Sequence, residues 1–177
     1  NSSQRTSIPA RRSDKNLPRM IRIRTHHAAI CIVVIAATLG WISSLGDAPI
    51  VDEIPHIGAG YSYLVKGDMR LNPEHPPLAK DLAGIGVLSL DFTDRVFTIP
   101  QWTSEVNGQW EFGRQLIFHS GVHPDTVKNF ARFPLFAFFF VGAWLMWRWS
   151  QERYGDRAAL ITVTLFAFSP TILAHMR

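Results

Sequence analysis

Residues Ala28–Leu45 (AAICIVVIAATLGWISSL) run for 18 positions without one charged side chain. A bilayer core of about 30 Å is crossed by a helix of roughly 17–25 apolar residues. The block has that length. It is also too uniformly apolar for the one-sided stripe of a soluble core helix. A cleaved signal peptide is the rival reading. It fits poorly, because 27 residues precede the run and Leu45-Gly-Asp-Ala48 is a weak small-residue cleavage site. An uncleaved membrane span is expected.

Two further apolar blocks follow. Phe133–Trp147 (FPLFAFFFVGAWLMW) is short, but Arg132 and Arg148 flank it, and long basic side chains reach the headgroups. Ala158–Ala174 (AALITVTLFAFSPTILA) contains Pro170, which membrane helices tolerate better than soluble ones. Charged residues make up 18% of the chain, below the roughly 25% usual in soluble domains. The expected fold class is therefore all-α and polytopic in a membrane. Spans are expected at 28–45, 132–149 and 158–177, the last cut short by the end of the chain.

The charges orient these spans. Arg5, Arg11, Arg12, Lys15, Arg19, Arg22 and Arg24 all precede the first block, opposed only by Asp14. A nucleic-acid arm is one reading of such a run. Its place beside a span makes the positive-inside rule the better one. The tail 1–27 and the connection 150–157 (with Arg148, Arg153 and Arg157 in and around it) are expected in the cytoplasm. The long loop 46–131 then lies outside. It is acidic, with eleven Asp and Glu against six Lys and Arg. Cys31 is the only cysteine, so there is no disulfide framework or thiolate metal site.

Several short elements are expected around and within the loop. Residues 1–25 read as a polar, disordered tail. Pro55 breaks any helix leaving the first span. A helix follows at 56–66 with Ile57, Tyr61 and Leu64 on one face, ended by Gly67-Asp68. Asn72-Pro-Glu-His-Pro-Pro77 reads as a rigid turn. Residues 78–90 align Leu78, Leu82, Ile85 and Leu88, weakened by Gly84 and Gly86, as an interfacial helix. Residues 91–104 read as irregular. A second interfacial helix over 105–118 is expected to align Val106, Trp110 and Ile117. Trp102, Trp110, Trp144, Trp147 and Trp149 fit an aromatic belt.

Two features carry chemistry. Asp52-Glu53 lies just past the first span, and Asn72-Pro-Glu-His-Pro-Pro-Leu-Ala-Lys80 lies about twenty residues later. Adjacent carboxylates at a membrane surface suit general-base work or cation binding. Taken alone, they also fit a solvated pair. Asp52, Glu53 and His56 form one possible metal set and His119 with His123 another. Neither has convincing helical spacing, so no metal is expected.

Together these features resemble the polyprenyl-phosphate-dependent membrane glycosyltransferases of the GT-C class. The chain looks most like the protein O-mannosyltransferase branch, glycosyltransferase family 39. The resemblance runs from about residue 28 to the end. It rests on Asp52-Glu53, the Glu74-His-Pro-Pro-Leu-Ala-Lys80 run, Ala131-Arg-Phe-Pro134, and Phe168-Ser-Pro-Thr-Ile-Leu-Ala-His175. It implies transfer of a hexosyl group, such as mannosyl, from a polyprenyl-phosphate donor to an acceptor hydroxyl on the outer side. The acceptor would be a protein, lipid or glycan. Asp52 would be the base, with Glu53 assisting or orienting it. Lys80 and Arg132 would meet the leaving phosphate. Glu74 and His75 would shape the sugar site.

No cofactor is implied, although some relatives in the wider class use a divalent cation. The setting would be the plasma (inner) membrane, with no nucleic acid involved. The resemblance also implies further spans beyond Arg177 and no catalysis by these residues alone. The main alternative is a non-catalytic membrane protein with a sensing or partner-binding loop. A transporter ranks lower, because it would place ionisable residues within the spans and the apolar runs hold none.

Overall fold

The computed structural model describes residues 19–176, with side chains from Ile23 onward except that of Asp94. The regular elements among the described residues are all helices, with no strand. They fall into two packed regions, a helix bundle and an outer unit.

The first helix, α1, runs Arg19–Leu45. It begins earlier than the apolar block because Arg, Met and Ile at 19–24 are good or tolerable helix formers. The part of the expected tail at 19–25 is therefore helical, while 1–18 lie outside the described residues. Ile30, Val34, Ile35, Leu39 and Ile42 point outward, each at least half exposed. Ala29, Ala36, Ala37 and Ser44 point inward and are buried. Small residues on the inner face let neighbouring helices approach closely, as in membrane bundles.

The second apolar block belongs to a longer rod. Helix α6 (Pro124–Arg132), a 3-10 turn (Phe133–Leu135) and α7 (Phe136–Tyr154) follow without interruption. Among the described residues, Ile23–Leu45 and Pro124–Tyr154 are the two helical stretches long and apolar enough to cross a membrane. Only 28% and 33% of their most apolar windows are buried. The core helix of a soluble protein is mostly buried, so this low burial is weak support for a membrane setting.

The expected connection 150–157 shrinks to a hinge. Helix α7 continues through Tyr154 and α8 (Asp156–Ala167) starts one residue later. Gly155 (φ 88°, ψ 177°) makes the reversal in a conformation that a side chain would strain.

The third block is not one helix. Helix α8 ends at Ala167, Phe168 and Ser169 leave the helical path, and α9 (Pro170–His175) starts afresh. Pro170 has no N–H for the Phe166 carbonyl, and Ser169 before it is extended (φ −62°, ψ 124°). The pieces have 12 and 6 residues, so neither reaches the roughly 17 a span needs.

The outer unit packs α2 (Glu53–Lys66), α3 (Leu78–Val87), α5 (Gln109–Phe118) and α6 around Ile57, Leu71, Val87, Phe112, Leu116, Ile117 and Val127. Pro55 does not break α2. It sits in the first turn, where its missing N–H has no partner to lose. The buried face of α2 runs through Gly58, Ala59, Gly60 and Ser62, while Leu64 is exposed. A β-carbon at Gly60 would collide with the Lys80 carbonyl, so glycine is what lets α2 and α3 cross. Gly86 likewise admits the Phe130 carbonyl of α6. The α3 glycines are therefore contact points rather than weaknesses.

Leu78 and Ile85 of α3, and Leu88 just past its end, are exposed, whereas Leu82, expected on the same face, is half-buried. The expected α5 stripe is split. Asn107 (φ 65°) and Gly108 make a turn, Val106 lies outside the helix, Trp110 is half exposed and Ile117 is fully buried. The segment 91–104 holds a 3-10 turn at Asp94–Phe97 and a short helix, α4 (Pro100–Thr103). Trp102 leaves the expected aromatic belt to pack between Phe97 and Phe112.

Candidate functional site

The end of α1 and the head of α2 meet over α6. The last carbonyls of a helix have no partner within it and carry partial negative charge. Two buried cations one turn apart on α6 supply it. Lys128 donates from Nζ to the carbonyls of Asp47 (2.6 Å) and Leu45 (3.2 Å), and to Asp125 Oδ1 at 3.4 Å. Arg132 donates to the carbonyls of Ser44 (3.2 Å) and Ala48 (3.4 Å). Its Nε and second terminal nitrogen grip Glu53 at 2.6 and 2.8 Å. Glu53 also accepts the Ile50 N–H at 2.8 Å. Thus Arg132 is 3% exposed and its guanidinium is engaged by the protein. It is not the open phosphate partner the sequence suggested.

Asp52 and Glu53 therefore separate. Glu53 turns inward to the guanidinium, and Asp52, one residue before α2, is exposed. The backbone beneath Asp52 is fixed by the Glu53–Arg132 pair, and its own carboxylate makes no capping bond to α2.

One turn along, His56 is half-buried and meets the His75 ring edge-on, with centroids 5.5 Å apart. Burial pushes the His56 pKa below its ordinary value, and Lys80 and His75 push it further, while Asp52 opposes them. The neutral imidazole is favoured. The turn that carries His75 also carries Glu74, which is exposed and accepts a 3.4 Å hydrogen bond from Asn107.

Lys80 holds that turn in place. It is 2% exposed. Its Nζ donates to the Asn72 carbonyl (2.6 Å), Asn72 Oδ1 (3.1 Å) and the Tyr63 hydroxyl (3.2 Å). Tyr63 donates to the same Asn72 carbonyl at 2.6 Å. All three acceptors are neutral. Burial lowers the Lys80 pKa, with Asp81 and Glu74 opposing, and burial raises that of Tyr63. Lys80 is thus neither a solvated side chain nor a surface cation.

The six expected residues form two clusters. Glu53 joins Arg132 under Asp52, and His75 with Glu74 sits on the turn that Lys80 anchors. The residues not foreseen are His56 as the partner of His75, Lys128, Tyr63 and Asn72. Lys128 and Arg132 at i and i+4 on one helix face were a usable signal. Among the described residues no three His, Cys, Asp or Glu side chains group to hold a metal ion.

A groove of about 310 Å³ runs along the bundle. Ala79 at the start of α3, Phe138 and Phe139 of α7, Phe166 of α8 and His175 of α9 are among the residues that line it. It joins the Lys80 segment to the apolar helices.

No protein-family model matches the chain, and neither does any curated protein or solved structure.

Proposed function

We propose that the chain belongs to a multi-pass membrane glycosyltransferase acting on the outer side of the plasma membrane. It would move a sugar from a polyprenyl phosphate to an acceptor hydroxyl. The third pass would be the broken α8–α9 segment, and the N-terminus would be cytoplasmic. The observation that carries the reading is Asp52, an exposed carboxylate on a backbone clamped where α1 ends and α2 begins. A base must be held still yet remain open to the hydroxyl whose proton it takes.

In the mechanism, Asp52 accepts the acceptor proton as the oxygen attacks the anomeric carbon, and the lipid phosphate leaves. Glu53 orients Asp52 through Arg132. Lys80 orients Glu74 and His75 through Asn72. The apolar groove beneath Ala79 suits a prenyl chain. The positive partner of the leaving phosphate is left unassigned, because Arg132 and Lys80 are engaged within the protein.

That same engagement favours the second reading, a non-catalytic loop that binds a partner. The experiment is transfer from a radiolabelled polyprenyl-phosphate sugar in membranes holding the full-length protein. Asp52→Asn should reduce transfer by at least about 100-fold, the lower range for general-base catalysis. Undiminished transfer in the mutant would remove Asp52 from the mechanism. No transfer by the wild type from any polyprenyl donor would favour the binding reading.

A further inference from the structure

A second groove lies at the other end of the bundle. Helices α1 and α7 both rest on α8 and leave a furrow of about 480 Å³ between them. One face of α1 from His26 to Val34 and one face of α7 from Phe140 to Gln151 form its walls, with Val163 of α8 among the lining residues. The walls are apolar except at one end. There His26, Arg148 and Gln151 come together, because the two helices run in opposite directions. Trp147 stands edge-on to His26 with centroids 4.9 Å apart, and Arg24 is exposed at the same end.

We propose that this furrow holds an anionic phospholipid of the cytoplasmic leaflet, resting on the membrane reading above. One acyl chain would lie along Ile30, Val34 and Phe140. The phosphate would sit against Arg148 and His26, while Gln151 beside them donates to Asp156 at 2.7 Å. Arg148 pairs with Glu152 at 2.7 Å, but the two side chains are 55% and 62% exposed. Such a pair is weak, so a phosphate competes with it readily. Charge decides the occupant. A basic end suits the anionic inner leaflet, whereas another helix packed there would press Arg148 and His26 against apolar side chains.

The test uses the full-length protein in nanodiscs of equal parts phosphatidylglycerol and phosphatidylcholine, with retained lipid counted by native mass spectrometry after detergent release. Phosphatidylglycerol should be retained in preference. Arg148→Gln should lower its retention about fivefold, the worth of one basic side chain at an anionic surface, and Arg148→Lys should keep most of it. Val34→Trp, which fills the furrow, should displace both lipids. Equal retention of the two lipids, or retention indifferent to Arg148→Gln and Val34→Trp, overturns the proposal. Alkaline extraction of the wild type separates the two failures. A chain that stays in the membrane without lipid preference sinks only this inference, and a chain that washes out sinks the membrane reading itself.

Discussion

The bundle and the outer unit use apolar residues in opposite directions. In α1, Ile30, Ile35, Leu39 and Ile42 face outward while alanines fill the contacts. In the outer unit, Phe112, Leu116 and Ile117 are fully buried. The polar residues divide in the same sense. Lys80, Lys128 and Arg132 are buried in the outer unit and at its seam with α1, each with several acceptors. In the bundle Arg148 and Glu152 stay exposed at its end, while Asp156 at the start of α8 is buried and accepts from Gln151 at 2.7 Å. On the membrane reading proposed above, a lipid solvent would suit the bundle and an aqueous one the core of the outer unit. The seam between them is where a reaction joining a lipid donor to a water-borne acceptor would have to occur.

That contrast can be broken at the seam first. Arg132→Met leaves the half-buried Glu53 beside an apolar chain and frees the end of α1. Losing one partner of a buried pair costs about 3–5 kcal/mol, and chemical denaturation of the outer unit should register it. Replacing both members, Glu53→Gln with Arg132→Met, should recover part of the loss.

Equal truncations in the two regions come next. Leu116→Ala should destabilise by about 2–5 kcal/mol, as for a buried leucine. Leu39→Ala, at a position 52% exposed, should shift stability by no more than about 0.5 kcal/mol. Similar costs at both sites would show that α1 buries that face against something else.

The smallest effect is in pH. His56 has its folded pKa below the ordinary 6.5, so the unfolded chain takes up its proton first as the pH falls. Stability contributed by neutral His56 is full above about 6.5 and declines as the pH drops below it. His56→Gln should flatten the acid side of a melting-temperature profile relative to the wild type.

Much of this division was legible in the sequence. The charge-free run at 28–45 and the proline-rich turn at 72–77 announced themselves through local composition, and Gly67 ended α2 where expected. The break before Pro170 was not legible. Whether a membrane helix absorbs a proline depends on neighbours that re-satisfy the freed carbonyl. The α5 stripe failed because the turn at Asn107 started the helix later and changed which residues share a face. At the site, Asp52 and Glu53 could be picked out, but not told apart. What separates them is Arg132, 79 positions away. Lys80 reads as a surface cation because its acceptors, the Asn72 carbonyl and side chain and the Tyr63 hydroxyl, carry no charge pattern to read, and Arg132 does so because its carboxylate partner is far away in the chain.

The central claim is that α1 carries Asp52 across a membrane to its outer face while the α7–α8 hinge remains inside. In a Cys31→Ser background, Val51→Cys and Glu152→Cys can be labelled one at a time with a membrane-impermeant maleimide on intact cells. The account predicts that Cys at 51 labels at once and that Cys at 152 labels only after the membrane is permeabilised. Labelling of both from the same side would contradict it.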